Sequence, residues 1–291
     1  MNAKNISKAL HAKLKNWIKS IDDDDVKKEI EKNAIITGGA IVSMLQGEQP
    51  NDYDVYFKTH DSCLAIADYY AKKWNSSRKD HTTVEIKTED GRITCFIRSK
   101  GIAAEEGENG IDDATEPNPF TEEQEDVDKE EKTQYRPRYF STNAISLSDG
   151  IQIVIRFYGS IDDIHTNYDF VHCTCSFDYE TGNVNLPSRA LEAIINKELY
   201  YTGSKYPLCS IIRSRKFIER GWHINAGQYL KMCLQLNEID LKDFKVFQDQ
   251  LAGVDSSYFN QAITDIQKMK EENPDFIVDN SYLFEVINRI F

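Results

Sequence analysis

Ile6, Leu10, Leu14, Trp17, Ile18 and Ile21 recur at three- and four-residue spacing with lysines between them, which predicts an amphipathic helix over residues 3–21. Packing on a neighbouring domain explains that stripe more simply than a membrane surface does. The acid run Asp22–Asp25 reads as the cap of a helix continuing through Val26–Glu31. The pattern then alternates. Ala34–Thr37 reads as a short buried strand, Gly38-Gly39 as a turn, Ala40–Leu45 as a short helix ending at Gly47, and Tyr53–Phe57 as a strand of period two. A helix over Ser62–Trp74 follows, then strands Thr83–Thr88 and Arg92–Arg98 around Glu89-Asp90-Gly91, whose Asp-Gly pair is a hairpin signal. Strand character returns at Thr142–Leu147, Ile151–Tyr158 and Phe170–Phe177. From Leu186 helical periodicity dominates, over Ser188–Tyr200, Pro207–Arg220, Asn225–Leu236, Leu241–Leu251 and Ser257–Glu271. The expected class is α+β: a mixed-sheet head followed by an all-helical part.

With 291 residues, 40% of them hydrophobic, the chain can bury a sizeable core. No apolar run approaches the roughly 20 residues of a membrane span, and no secretory leader is visible. Cys63, Cys95, Cys173, Cys175, Cys209 and Cys233 lack framework spacing and read as reduced thiols of a cytoplasm-like compartment, which would be a host's if a virus encodes the chain.

The net charge of −13 argues against a nucleic-acid partner until its location is considered. Thirteen acids and one base, Lys129, lie between Glu105 and Glu131, so that stretch carries −12 and the remainder only −1. Residues 102–134 read as an acidic, disordered insertion. Lys205, Arg213, Arg215, Lys216, Arg220 and Lys231 against Glu219 give +5 over Lys205–Lys231, which admits a polyanionic ligand.

The densest chemistry lies in Thr37-Gly38-Gly39-Ala40, followed by Asn51-Asp52-Tyr53-Asp54. Two glycines let backbone amides approach an anion, and the helix behind them aims its positive end at the same place. Asp52 and Asp54, two apart at a strand entrance, share one face and repel unless a cation intervenes. A phosphate-holding turn beside paired carboxylates suits metal-assisted phosphoryl transfer.

This constellation resembles the polymerase-β-like nucleotidyltransferase superfamily, with class II CCA-adding enzymes and bacterial poly(A) polymerases as the nearest groups. Gly38-Gly39-Ala40 through Gly47, with Asp52 and Asp54, is similar to their opening motif. Arg138-Tyr139-Phe140-Ser141-Thr142-Asn143-Ala144 resembles their Arg-Asp-Phe-Thr-x-Asn-Ala element. Pro207-Leu208, Ile211-Ile212-Arg213, Phe217 and Gly221-Trp222 resemble the base-selecting helix. The departures are Val42-Ser43 where an Arg-Asp stands in the family, Tyr139 for an acid, and Tyr206 and Cys209 for the residues that read the incoming base. A protein-templated C-then-A specificity is therefore not expected.

The resemblance implies a helical segment 1–33, a nucleotidyltransferase domain 34–186 and a helical domain 187–291. It implies Mg²⁺ or Mn²⁺ on Asp52 and Asp54, an NTP substrate with its phosphates at Gly38 and Gly39, and a nucleotide-binding role for Arg138 and Asn143. The superfamily's third carboxylate, catalytic and metal-holding, is expected at Asp169 at the head of an apolar strand, with Glu85 only the alternative because its hairpin more naturally faces solvent. Arg213, Arg215 and Lys216 suit a triphosphate or an RNA backbone, or else form a solvated helix face. Zinc at His172-Cys173-Thr174-Cys175 fails for want of a second ligand pair. The expected activity is NMP transfer to an acceptor hydroxyl, with an RNA 3′ end favoured. The alternatives are transfer to a protein or small molecule, and a non-catalytic binding or assembly role.

Overall fold

The computed structural model describes residues 1–77, 82–89, 91–99, 134–241 and scattered positions between 243 and 285. The acidic stretch Glu105–Glu131 and most of the last two predicted helices lie outside them.

Helix α1 (Ala3–Lys19) opens on Asn2, whose side chain accepts the Asn5 N–H, and buries Ile6, Leu10, Leu14, Trp17 and Ile18, the predicted stripe. Trp17 Nε1 donates to Tyr70 Oη at 2.7 Å, so its one polar atom is satisfied in the core. Asp23, from the acid run, caps α2 (Asp24–Asn33) by accepting the Asp25 and Val26 N–H groups. Strand β1 (Ala34–Thr37) is buried at every position. Then come α3 (Gly39–Gln46), closed by the left-handed Gly47, β2 (Tyr53–Phe57) and α4 (His60–Ser77). Strands β3 (Thr82–Glu89) and β4 (Arg92–Ser99) form a separate hairpin. The main sheet is completed by β5 (Pro137–Phe140), β6 (Ala144–Leu147), β7 (Ile151–Val154), β8 (Ser176–Asp178) and β9 (Val184–Asn185). Its order is β5-β6-β7-β2-β1-β8-β9, with β2 and β7 parallel and every other neighbour antiparallel.

Period two sorts this sheet into two faces. One carries Phe140, Ile145, Leu147, Ile151 and Ile153, all buried. Trp74 of α4 meets Phe140 edge-on there at 5.2 Å. The other face carries Ile35, Tyr56 and Val154, which pack on Ile161 and Ile164 of α5 (Ile161–His165). Asp54 follows the parity of Tyr56 and lies on this second face.

Three predicted strands changed extent for identifiable reasons. β7 stops at Val154 because the Ile155 and Arg156 N–H groups both turn to the Asn143 carbonyl. Ser141–Asn143 make a turn, with Ser141 Oγ accepting the Ala144 N–H at 3.0 Å, so β6 begins at Ala144 and the stretch before the turn forms β5. Phe170–Phe177 is not one strand: Val171–Thr174 coil into a 3₁₀ turn, tied by Thr174 Oγ1 donating to the Val171 carbonyl at 2.8 Å.

The chain forms two compact units that part after Asn196. Helices α1, α2 and α6 (Ser188–Asn196) belong to the first. In the second, α7 (Pro207–Glu219) starts on a proline at its first turn, and α8 (Ala226–Leu236) is capped by Asn225. Among the described residues no helix is long and apolar enough to cross a membrane.

Candidate active site

β1 ends at Thr37, and the chain turns through Gly38 at φ +91° and ψ −145°, a combination only glycine adopts without strain. The Gly38 N–H is spent inward on the Cys173 carbonyl at 3.1 Å. No side chain caps α3, so its first-turn N–H groups and positive end meet whatever lies beyond the turn. The two glycines therefore do different work. Gly38 is buried and conformationally obliged; Gly39 is exposed, with nothing within 4 Å of where a Cβ would stand.

Asp54 comes to this turn from the neighbouring strand. Its Oδ2 lies 3.5 Å from the position a Cβ would take on Gly38. Asp54 is half-buried and Asp52, just ahead of β2, is exposed. Asp52 is held by a glycine that sequence reasoning passed over. Gly150, at φ +67°, lets the Asn51 carbonyl come within 2.7 Å of where its Cβ would be, and Asp52 Cα within 3.8 Å. The only sequence signal for it was its position opening β7, the parallel neighbour of β2.

Neutral hydrogen-bonding groups, also missed from sequence, gather around the end of β1 and the Gly38 turn. Tyr168 Oη lies 3.5 Å from the same Gly38 Cβ position. Burial above all, with Tyr56 and the Asp54 charge nearby, holds the Tyr168 phenol well above its ordinary range, so it stays protonated. Thr37 Oγ1 donates to the Cys175 carbonyl at 2.8 Å and contacts His165 Nε2 at 2.8 Å. A hydroxyl has one proton, and a carbonyl only accepts; hydrogen-bond logic therefore puts the imidazole proton on Nε2. Burial lowers the His165 pKa, only partly opposed by Asp162, and keeps the ring neutral at pH 7.

The other predicted residues fall elsewhere. Asp169 is buried, 5% exposed, and enters the 3₁₀ turn rather than an apolar strand. Among the described residues no three His, Cys, Asp or Glu side chains gather as a group that could hold a metal ion. Glu85 is exposed on the separate β3–β4 hairpin. Arg138 is exposed on β5, while Asn143 sits in the β5–β6 turn with its Oδ1 buried and unpartnered among the described residues. Arg213, Arg215 and Lys216 lie on α7 in the second unit, where Arg215 Nε pairs with Glu219 at 2.9 Å. All six cysteines are free, and burial pushes the Cys175 thiol up to about 12.

The 3₁₀ turn under Gly38 has a pH signature. Burial depresses His172 to about 3. An unfolded histidine takes its proton near pH 6.5 and the folded one does not, so stability is complete above about 6.5 and falls as pH drops from there toward 3. The expected loss approaches 1.4 kcal/mol per pH unit within that window. Urea unfolding from pH 7 to 4 measures it, and His172→Asn should flatten the slope.

The first unit is thus a mixed sheet in which a strand, a glycine turn and a helix stand beside an aspartate-bearing strand, and helices follow it. The chain belongs to the Gabija anti-defense 2 family, whose family model, described as Gabija anti-defense 2 family protein, matches residues 8–197. It is 19% identical over 286 residues to Gabija anti-defense 2 of Bacillus phage SPbetaL7, covering 95% of this chain and 58% of that protein. The chain thus spans little more than half the length of that relative. Among solved structures it is similar to an apo CCA-adding enzyme (TM-score 0.44, 12% identity, 93% of this chain and 55% of that one). It is also similar to the Thermotoga maritima CCA-adding enzyme complexed with tRNA (TM-score 0.40, 11% identity, 92% and 57%).

Proposed function

We propose that this chain is a divalent-metal-dependent nucleotidyltransferase, moving NMP from an NTP to an acceptor hydroxyl and serving a phage against Gabija defence. The observation that carries the reading is the Asp54 carboxylate seated against the Gly38 turn at the uncapped start of α3. Asp52 and Asp54 are hard oxygen donors, accessible and two apart. Such a pair fits Mg²⁺ or Mn²⁺, which commonly takes one or two carboxylates and fills its shell with water and substrate phosphates. When bound, the ion neutralises phosphate charge and assists departure of pyrophosphate. Gly39 and the α3 N–H groups receive the β- and γ-phosphates. Gly38 keeps the turn close to Asp54, and the neutral Tyr168 and His165 add no competing charge. Asn143 offers its buried Oδ1 to a donor on the nucleotide.

An RNA 3′ hydroxyl suits the cations of α7 as acceptor. A protein or small-molecule hydroxyl is the second reading, favoured by Tyr206 and Cys209 at the base-reading positions and by the family's anti-defence name. Labelled NTPs, each incubated with Mg²⁺ and the full chain, first with RNA and then with an extract of Gabija-bearing cells, separate the two. Transfer into RNA supports the first, and transfer into another component of the extract the second. No transfer from any NTP, together with no Mg²⁺-dependent NTP binding, overturns the enzyme.

A further inference from the structure

Strand register carries the site sideways from Asp54. Asp54 pairs with Gln152 of β7, Gln152 with Ser146 of β6, and Ser146 with Tyr139 of β5. Partners in register share a face, so these four side chains form one polar row across four strands. The next row on that face is apolar, with Ala144 paired to Val154, and Val154 packed on the Ile35–Tyr56–Ile164 cluster. The opposite face at these strands is filled by Ile145, Ile151 and Ile153. Gln152 and Ser146 are half-buried, and neither side chain makes a hydrogen bond to a described residue. Among the described residues their polar atoms stay unpaired along a row that begins at a carboxylate.

We propose that Gln152 and Ser146 form a subsite for the sugar hydroxyls of the nucleotide. The inference rests on the nucleotidyltransferase reading of Asp54. With strands about 4.8 Å apart, Gln152 stands one strand and Ser146 two strands from the carboxylate that would hold the phosphate-bound cation. The sugar follows the α-phosphate by a few bonds and reaches the same distance. The chemistry also matches. An amide and a hydroxyl both donate and accept, as sugar hydroxyls require, whereas neither carries the positive charge that a phosphate rewards.

Titration calorimetry of the full chain with Mg²⁺ tests this, using each of the four NTPs and, as a sugarless probe, inorganic tripolyphosphate. Gln152→Leu should weaken the best-binding NTP about tenfold and leave tripolyphosphate within about twofold, since the deleted contacts are made to hydroxyls alone. Ser146→Ala should show the same selectivity with a smaller loss, and Gln152→Asn should recover part of the affinity. Asp54→Asn should weaken both ligands. Should Gln152→Leu, with an unchanged melting temperature, leave NTP binding intact or weaken both ligands equally while Asp54→Asn still weakens both, the sugar subsite is wrong and the cation site stands. An Asp54→Asn protein that binds both ligands normally, or a wild-type chain that binds neither, overturns the underlying reading and the subsite with it.

Discussion

Asp54→Asn is expected to lower NMP transfer by about three orders of magnitude or more, while the chain stays folded. The substitution keeps the side chain's shape and removes its charge. What it loses is the anionic oxygen facing the glycine turn, 3.5 Å from the Gly38 Cβ position. Asp54 is half-buried, outside the apolar core, and the substitution keeps its size, so stability should move by no more than about 1 kcal/mol. Asp52→Asn should act in the same direction. Glu85→Gln, on the separate hairpin, should leave transfer within about twofold. Rates from label incorporation and melting temperatures on the same samples decide it. Full activity in both aspartate variants would remove the carboxylate pair from the chemistry.

How far the sequence carries this site differs from residue to residue. The extent of β1 and β2 and the glycine turn between them were legible because each signal is local: alternation sets a strand, and a glycine pair sets a reversal. The stop of α3 at Gly47 was legible for the same reason. The walls were not. Tyr168 and Gly150 reach Asp54 and Asp52, and His165 reaches Thr37, through register and turn geometry over roughly a hundred residues, and no spacing rule links them. Asp169 shows the converse. Apolar alternation after it read as a strand that would present its carboxylate, but the Cys173 carbonyl accepts the Gly38 N–H and the Cys175 carbonyl the Thr37 hydroxyl. Those contacts favour a 3₁₀ turn, and Asp169 ends buried.

The parallel pairing of β2 with β7 matters more to the reading than the motif itself. Sequence alone places two aspartates on a strand; register decides which residues stand beside them. Here the in-register neighbour of Asp54 is Gln152, an amide. A carboxylate there would add negative charge beside Asp54 and raise the cost of holding two acids ionised before any cation arrives. With an amide there, a cation proposed for the pair would meet less repulsion between neighbouring acids.

The second large effect concerns stability and reaches the site through the backbone. Gly150→Ala should cost about 3 kcal/mol, from two separable causes. At φ +67° an L residue is strained by about 1–2 kcal/mol. A Cβ would also stand 2.7 Å from the Asn51 carbonyl oxygen, backbone against backbone, where neither side can rotate away. Gly47→Ala isolates the first cause, because Gly47 has φ +81° and nothing within 4 Å of its Cβ position; its expected cost is about 1 kcal/mol. Urea unfolding of the two variants gives the difference. Below its melting point, Gly150→Ala should also lose activity that Gly47→Ala keeps, since relief of the clash pushes Asn51, and with it Asp52, away from β7. Equal stability losses in the two proteins would mean that the Asn51–Gly150 approach is not what holds Asp52 in place.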